Sequence, residues 1–233
     1  MLPDLRDIFG GLAATYERVN HALTLGLDVS WRRRAARAAA RGGGSMWLDV
    51  CSGTGDMARS LRRRALPGTR IVALDFCRPM LDLSAARPPA EGGFEFVLAD
   101  AARLPFPDAA FDLVTVAFAT RNLNLSPAAL TAAFREFHRA LRPGGRYVNV
   151  ESSQPRFRPM RFLFRVYVRT LVRPVGRRLS GASAGAGYAY LSESITEFYP
   201  PEELAEILRE SGFSRVTFHR LMFGAAAIHV AIK

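Results

Sequence analysis

Residues 48–56 read Leu-Asp-Val-Cys-Ser-Gly-Thr-Gly-Asp: an apolar strand running into a glycine turn and then into a helical stretch, Met57 to Arg64. In such a turn Gly53, Thr54 and Gly55 bring backbone close to a ligand where a Cβ would clash, and the helix behind offers unpaired N–H groups. Asp75 follows Gly55 by 20 positions at the end of a second strand, the spacing of an acid that takes a ribose diol. The third glycine of a dinucleotide fingerprint is Ala58 here, a replacement that some such sites tolerate. The chemistry implied is the binding of a nucleotide-like cofactor; the alternative is a tight strand-to-helix turn with no ligand.

These residues need a scaffold, and the chain supplies one. Ile71 to Phe76 reads as the second strand and Phe94 to Ala99 as the third, with Asp100-Ala101 at its end. Leu113 to Phe118 is the next strand, followed by a helix over Ser126 to Leu141 with Pro127 in its first turn. Pro143-Gly144-Gly145 turns the chain into Arg146 to Val150. A helix over Glu202 to Ser211, opened by Pro200-Pro201 and closed by Gly212, precedes the strands Arg215 to Arg220 and Ala226 to Ile232. Strands alternating with helices predict a mostly parallel sheet covered on both faces. Ligands bind such sheets at the carboxyl ends of the strands, where Ser52 to Gly55, Asp75 and Asp100 all fall.

On these motifs the chain resembles the class I S-adenosylmethionine-dependent methyltransferases. The resemblance implies a Rossmann-like fold with seven strands in the order 3-2-1-4-5-7-6, the last antiparallel. It also implies a division of labour. Asp49 is the acid before the loop, and Gly53, Thr54 and Gly55 pass beneath the methionine part of the cofactor. Asp75 accepts the ribose hydroxyls, Asp100 takes the adenine amino group and the Ala101 N–H a ring nitrogen. Phe76 and Met80 pack on the adenine faces, or else belong to ordinary helix-on-sheet packing.

A closer resemblance, over nearly the whole chain, is to the ubiquinone/menaquinone biosynthesis C-methyltransferases. It is carried by Tyr16-Glu17-Arg18-Val19-Asn20, by residues 25–34 (Leu-Gly-Leu-Asp-Val-Ser-Trp-Arg-Arg-Arg), by Leu104-Pro105-Phe106-Pro107-Asp108, by Phe118-Ala119-Thr120-Arg121-Asn122-Leu123, by residues 188–195 and by Gly224 to Lys233. The family usually has Phe-Gly-Leu-Arg-Asn at 118–122, Ser where Ala117 stands on the cofactor side, and Glu-Phe-Ser at 151–153. The resemblance implies methyl transfer from S-adenosylmethionine to a ring carbon of a prenylated quinol. Ionising the quinol hydroxyl makes that carbon nucleophilic, and from a phenol value near 10 this costs about 4 kcal/mol at neutral pH. Arg121 is the expected cation offsetting that cost, with a salt bridge as its structural alternative. Asn122 orients the hydroxyl or a water, and Tyr16 and Asn20 are further polar contacts from N-terminal helices that cover the site.

Composition fits a single domain of 233 residues with an N-terminal helical cover (1–41) and a basic insertion (156–192); 49% hydrophobic residues suffice for a core without staples. Cys51 and Cys77 make no framework, and no charged-then-apolar leader opens the sequence, so a cytosolic, reducing setting is expected. The histidines, at 21, 138, 219 and 229, have no ligand spacing, and no metal is expected.

The net charge is +11, and every basic side chain except Lys233 is arginine. Residues 152–192 contain no Asp or Glu, and Arg158, Arg161, Arg165, Arg169 and Arg173 recur at three or four positions. That predicts one helix with an arginine stripe, either a peripheral membrane contact through Arg161, Arg165 and Arg169 or a solvated face. Gly181 to Gly187 reads as a hinge or a slack loop. Nucleic acid is not an expected partner, because no Asn/Asp-Pro-Pro-aromatic motif or Pro-Cys nucleophile follows the fourth strand. The remaining alternatives are a small-molecule methyltransferase of specialised metabolism and a non-catalytic cofactor binder. Oligomeric state stays open.

Overall fold

Apolar runs punctuated by helices build one sheet from β1 (Met46–Val50), β2 (Arg70–Asp75), β3 (Glu95–Leu98), β4 (Phe111–Ala117), β5 (Leu141–Ser152), β6 (Arg215–Leu221) and β7 (Ala226–Ile232). The structure is a computed structural model that describes residues 5–87, 93–172, 174, 175, 178 and 185–233; the side chains of 5–9, 12, 14, 16 and 185–189 are outside the description. The strand order is β3-β2-β1-β4-β5-β7-β6. The first five strands pair in parallel, and β7 runs antiparallel to both β5 and β6. This is the Rossmann-like order that the resemblance implied.

Helices cover both faces. On one side α2 (Leu27–Ala40) and α3 (Asp56–Arg62) press Ala35, Ala36, Ala39, Met57 and Leu61 against Trp47, Ile71, Leu113 and Val148. Alanine at three positions of α2 lets the helix lie close to the strands. On the other, α6 (Pro127–Ala140) and a later helix (Pro201–Glu210) close a core around Phe134, Phe137, Tyr147 and Phe213. Ser126 starts α6 by accepting the Ala129 N–H at 3.1 Å, with Pro127 at the first helical position, where its missing N–H is not needed.

Four further helices matter to the site. These are α1 (Leu5–Leu23), α4 (Arg78–Ala86), the short α5 (Thr120–Leu123) and α7 (Arg158–Tyr167). A π-helical turn, Val168–Val172, continues α7, and α8 (Gly185–Glu197) precedes α9, the Pro201–Glu210 helix named above. Val19 of α1, Val168, Val172 and Leu191 of α8 form a small core of their own, which holds the N-terminal cover to the basic insertion.

Two expectations need correction. The strand expected over Arg146 to Val150 runs from Leu141 to Ser152, because Leu141 already pairs with Phe111 and the register shifts before Leu113 meets Arg146. Gly144, at φ 74°, absorbs that shift within the strand, so Pro143-Gly144-Gly145 is an irregularity in β5 and not a turn before it. The single arginine helix expected beyond Arg158 stays α-helical only to Tyr167; the wider π turn then breaks its four-residue register. Arg173, Arg177 and residues 181–184 lie outside the described residues, and Gly185 to Gly187 open α8.

Candidate active site

β1 lies where the strand order reverses, between β2 and β4, so the carboxyl ends of these strands splay apart over a crevice. A cavity of about 260 Å³ sits there. Gly53, Thr54, Asp75, Phe76, Met80, Asp100, Ala101, Ala117 and Asn122, all expected at the site, line it. Asp75 organises the crevice: its carboxylate accepts the Gly53 N–H at 2.8 Å on one oxygen and the Cys77 N–H at 2.8 Å on the other. Burial raises its carboxyl above the ordinary value, although the amides of Cys77, Gly53 and Phe76 pull the other way. Gly53 holds φ 53° with open space where a Cβ would stand, so a ligand can pass over the loop backbone. Asp100, exposed, accepts the Ala102 N–H at 2.9 Å, and Met80 packs under Ala13 of α1 beside Phe76.

Two residues expected at the cofactor stand outside the cavity. Side chains alternate along a strand, which puts Asp49 on the Trp47 face of β1, towards α3. There it is wholly buried, accepts the Thr115 hydroxyl at 2.7 Å, and is pushed up to about 7, by burial first and by the charge of Asp75 as well. Gly55, at φ 83°, faces α4: a Cβ on it would come within 2.2 Å of Ser84 Oγ. Its role is close helix approach.

A second cavity, of about 350 Å³, adjoins the first and is walled mostly by apolar side chains, among them Leu27, Trp31, Met160, Phe164, Val168 and Ile195. Asn20, Asp28, Arg32 and Phe118 line both cavities and mark their junction. Phe118 is held at φ 59°, a left-handed conformation that costs a residue with a Cβ about 1–2 kcal/mol. Its ring lies 6.2 Å from that of Trp31, with the Arg32 guanidinium 4.9 Å from its centroid.

Consecutive residues of α5 divide between the two spaces. Asn122 faces the polar cavity and is reached by the Tyr190 hydroxyl at 3.5 Å, whereas Arg121 lines the apolar one. Arg121 is not an open cation; it takes the salt bridge that was the alternative expectation. Its Nη1 meets Glu151 Oε1 at 2.7 Å and donates to the Phe118 carbonyl at 2.8 Å, and both members of the ion pair are buried. Thr120 is turned into the core, donating to Asn149 at 2.8 Å, so this departure from the family pattern lies away from the pocket. Ala119 lines the polar cavity, and Ser152 is on the wall of the apolar one. Tyr16 is on α1 and its side chain is outside the described residues.

Sequence reasoning missed the network at the junction. Asp28, 2% exposed, accepts from Arg32, from Thr24 Oγ1 at 2.7 Å and from His21 Nδ1 at 2.8 Å. Burial alone would raise its carboxyl, but the Thr24 hydrogen bond and the charges of Arg32 and His21 outweigh it and leave it below the usual value. The signal was the spacing of Thr24, Asp28 and Arg32 at four residues, hidden because Gly26, at φ 75°, separates α1 from α2. Nearby, ligand atoms of Glu17, His21 and Asp56 lie within 4.8 Å of one another. Both carboxylates there already pair with Arg87, which supplies the counter-charge a metal ion would bring.

Known proteins resemble this chain in sequence and in fold. The model of the ubiE/COQ5 methyltransferase family matches residues 3–233. A Thermus thermophilus protein named demethylmenaquinone methyltransferase is 41% identical over 96% of this chain and 98% of its own. A Desulfotalea psychrophila protein named ubiquinone/menaquinone biosynthesis C-methyltransferase is 34% identical over 99% and 91%. Among solved structures, a SAM-dependent methyltransferase of Thermotoga maritima superposes with a TM-score of 0.64 at 17% identity, covering 97% of this chain and 99% of that one. Human N-acetylserotonin methyltransferase bound to SAM gives 0.63 at 16%, over 95% and 57%. At such identities these two share the fold.

Proposed function

The chain belongs to the ubiE/COQ5 methyltransferase family, and from that premise we propose that it methylates a ring carbon of a prenylated quinol, using S-adenosylmethionine held in the polar cavity. The observation that carries this reading is the pair of adjoining cavities, one polar at the strand ends and one apolar, meeting at Asn20, Asp28, Arg32 and Phe118. A nucleoside-bearing cofactor suits the first. A ring with a hydrocarbon tail suits the second. Relatives named demethylmenaquinone methyltransferase favour a naphthoquinol ring.

Asp75, fixed by two backbone N–H groups, presents its remaining lone pairs to the ribose hydroxyls, and Gly53 leaves the cofactor room above the loop. S-adenosylmethionine supplies an electrophilic methyl group. The protein's own task is to align the ring and ease ionisation of its hydroxyl. Arg32 and Arg121 both face the apolar cavity and bring positive charge near that hydroxyl, each tempered by the carboxylate it holds. Arginine is too basic to accept the proton, so water carries it away, with Asn122 and Asn20 orienting the hydroxyl. One proton leaves per methyl transferred.

Radiolabelled methyl transfer to reduced demethylmenaquinol and benzoquinol analogues, with a catechol and RNA as controls, tests this reading. Label in the quinol alone is expected. Label in the catechol or RNA, with none in either quinol, would overturn it.

A further inference from the structure

The mouth of the apolar cavity carries bulky hydrophobic side chains that the fold holds outward. Leu25, Leu163, Met222 and Phe223 line the cavity, yet they are 86%, 58%, 55% and 72% exposed. They come from three elements: the turn before α2, α7 and the turn between β6 and β7. Leu25, Met222 and Phe223 also hold φ at 52°, 44° and 55°. Bulky residues keep left-handed backbone only where their surroundings over-determine it. Of the six described residues other than glycine with positive φ, only Ala109 lies away from the cavities.

α7 extends this surface. No residue of the helix is buried. With 3.6 residues per turn, Phe162 and Val166 stand between the row Arg158, Arg161, Arg165 and the row that faces the cavity, and Arg169 is exposed on the following turn. Among the described residues Arg158, Arg165 and Arg169 pair with no carboxylate, and residues 152–192 contain no acid.

We propose that this collar docks on an anionic lipid bilayer, with Leu25, Phe162, Leu163, Met222 and Phe223 entering the apolar boundary and the arginines at the level of the phosphates. The cavity then opens directly into hydrocarbon. At about 350 Å³ it is at the low end of the roughly 300–1,000 Å³ that encloses a drug-sized ligand, so a ring and the start of a tail fit while the rest passes through the mouth. This step rests on the prenylated-quinol reading. A second copy of the chain would set the same arginines face to face, and an acidic protein would leave the tail no apolar phase to enter. A basic amphipathic surface lying in the interface meets both needs.

The test is flotation of the full chain with phosphatidylcholine vesicles, with and without phosphatidylglycerol, for the wild type and for the pairs Phe162→Ser/Val166→Ser and Arg165→Glu/Arg169→Glu. None of these four side chains lines a cavity, and thermal melting checks the fold. The wild type is expected to bind the anionic vesicles, less as salt rises, and each pair to lose binding at least tenfold. Turnover of a long-tailed quinol in vesicles should fall in parallel, while a short-tailed, water-soluble quinol is methylated within twofold of the wild-type rate. Binding by either pair equal to the wild type's, or wild-type indifference to lipid charge, overturns the proposal. So does a wild-type dimer in light scattering that Phe162→Ser/Val166→Ser dissolves without any vesicle binding. Charge-dependent vesicle binding lost in both pairs by a protein that methylates no quinol upholds the docking surface and removes the substrate reading instead.

Discussion

Asp49 should make the stability of the protein fall as pH rises towards neutrality, and Asp49→Asn should abolish that effect. The carboxyl is wholly buried between β1, β4 and α3 and is pushed up to about 7, mainly by burial, against the usual 3.8. The folded chain therefore keeps this proton through a window, from about 4 to about 7, in which the unfolded chain has lost it. Stability falls with rising pH wherever the folded state binds more protons than the unfolded, so this group stabilises the fold fully below its unfolded value and loses that contribution as pH rises through 7. At about 1.4 kcal/mol per pH unit the loss across the window is about 4 kcal/mol. Asparagine keeps the shape and the acceptor for the Thr115 hydroxyl, 2.7 Å away, but cannot titrate. Urea unfolding followed by tryptophan fluorescence, to which Trp47 on the same strand, 2% exposed, contributes together with Trp31, reads the change at pH 5, 6, 7 and 8. The stability of wild type minus variant should drop by about 1.4 kcal/mol per unit up to pH 7 and then level off; titrations not coupled to Asp49 cancel in the difference. Parallel pH profiles for the two proteins would refute the reasoning.

Asp75→Asn turns one acceptor into a donor facing either the Gly53 or the Cys77 N–H, an unmet backbone donor worth about 1–3 kcal/mol. Affinity for S-adenosylmethionine by calorimetry should fall at least tenfold while the fold survives, and unchanged affinity would remove Asp75 from the cofactor site. For the Arg121–Glu151 pair, Arg121→Gln or Glu151→Gln alone should cost about 3–5 kcal/mol by leaving a buried charge unpaired, and the double variant should recover part of it. If Arg121 also offsets the phenolate, turnover of the double variant stays at least a hundredfold low; turnover that returns with stability would make the pair purely structural.

How much of the site was legible follows from which contacts are local. The glycine turn, Asp75 and Asp100 could be placed because alternation of strand and helix fixes where strands end, and strand ends are where a parallel sheet binds ligands. Asp49 misled because the motif gives its position along β1 but not its face. The two-residue period, applied from Trp47, would have turned it towards α3. The irregularity in β5 escaped for a similar reason: Pro-Gly-Gly reads as a turn, and only the pairing of Leu141 with Phe111 reveals the strand continuing through it.

Arg121 shows where sequence stops and packing decides. Its residue type promised a cation, but whether that charge is open to a ligand depends on Glu151, 30 residues away. β4 and β5 are neighbours, and Ala117 pairs with Val150, so the next residue on β5 necessarily stands beside the start of α5. A carboxylate at 151 therefore meets the guanidinium before any substrate does. The same logic applies to Arg32 and Asp28 across the break at Gly26. In both cases the fold tethers an arginine at the wall of the apolar cavity by an acid that fixes its direction and reduces its field. Such a pair favours a ligand that becomes negative only as it reacts over one that carries full charge throughout. That is the requirement of a hydroquinol, neutral on entering an apolar cavity and in need of positive charge only while its hydroxyl is ionised for the methyl transfer.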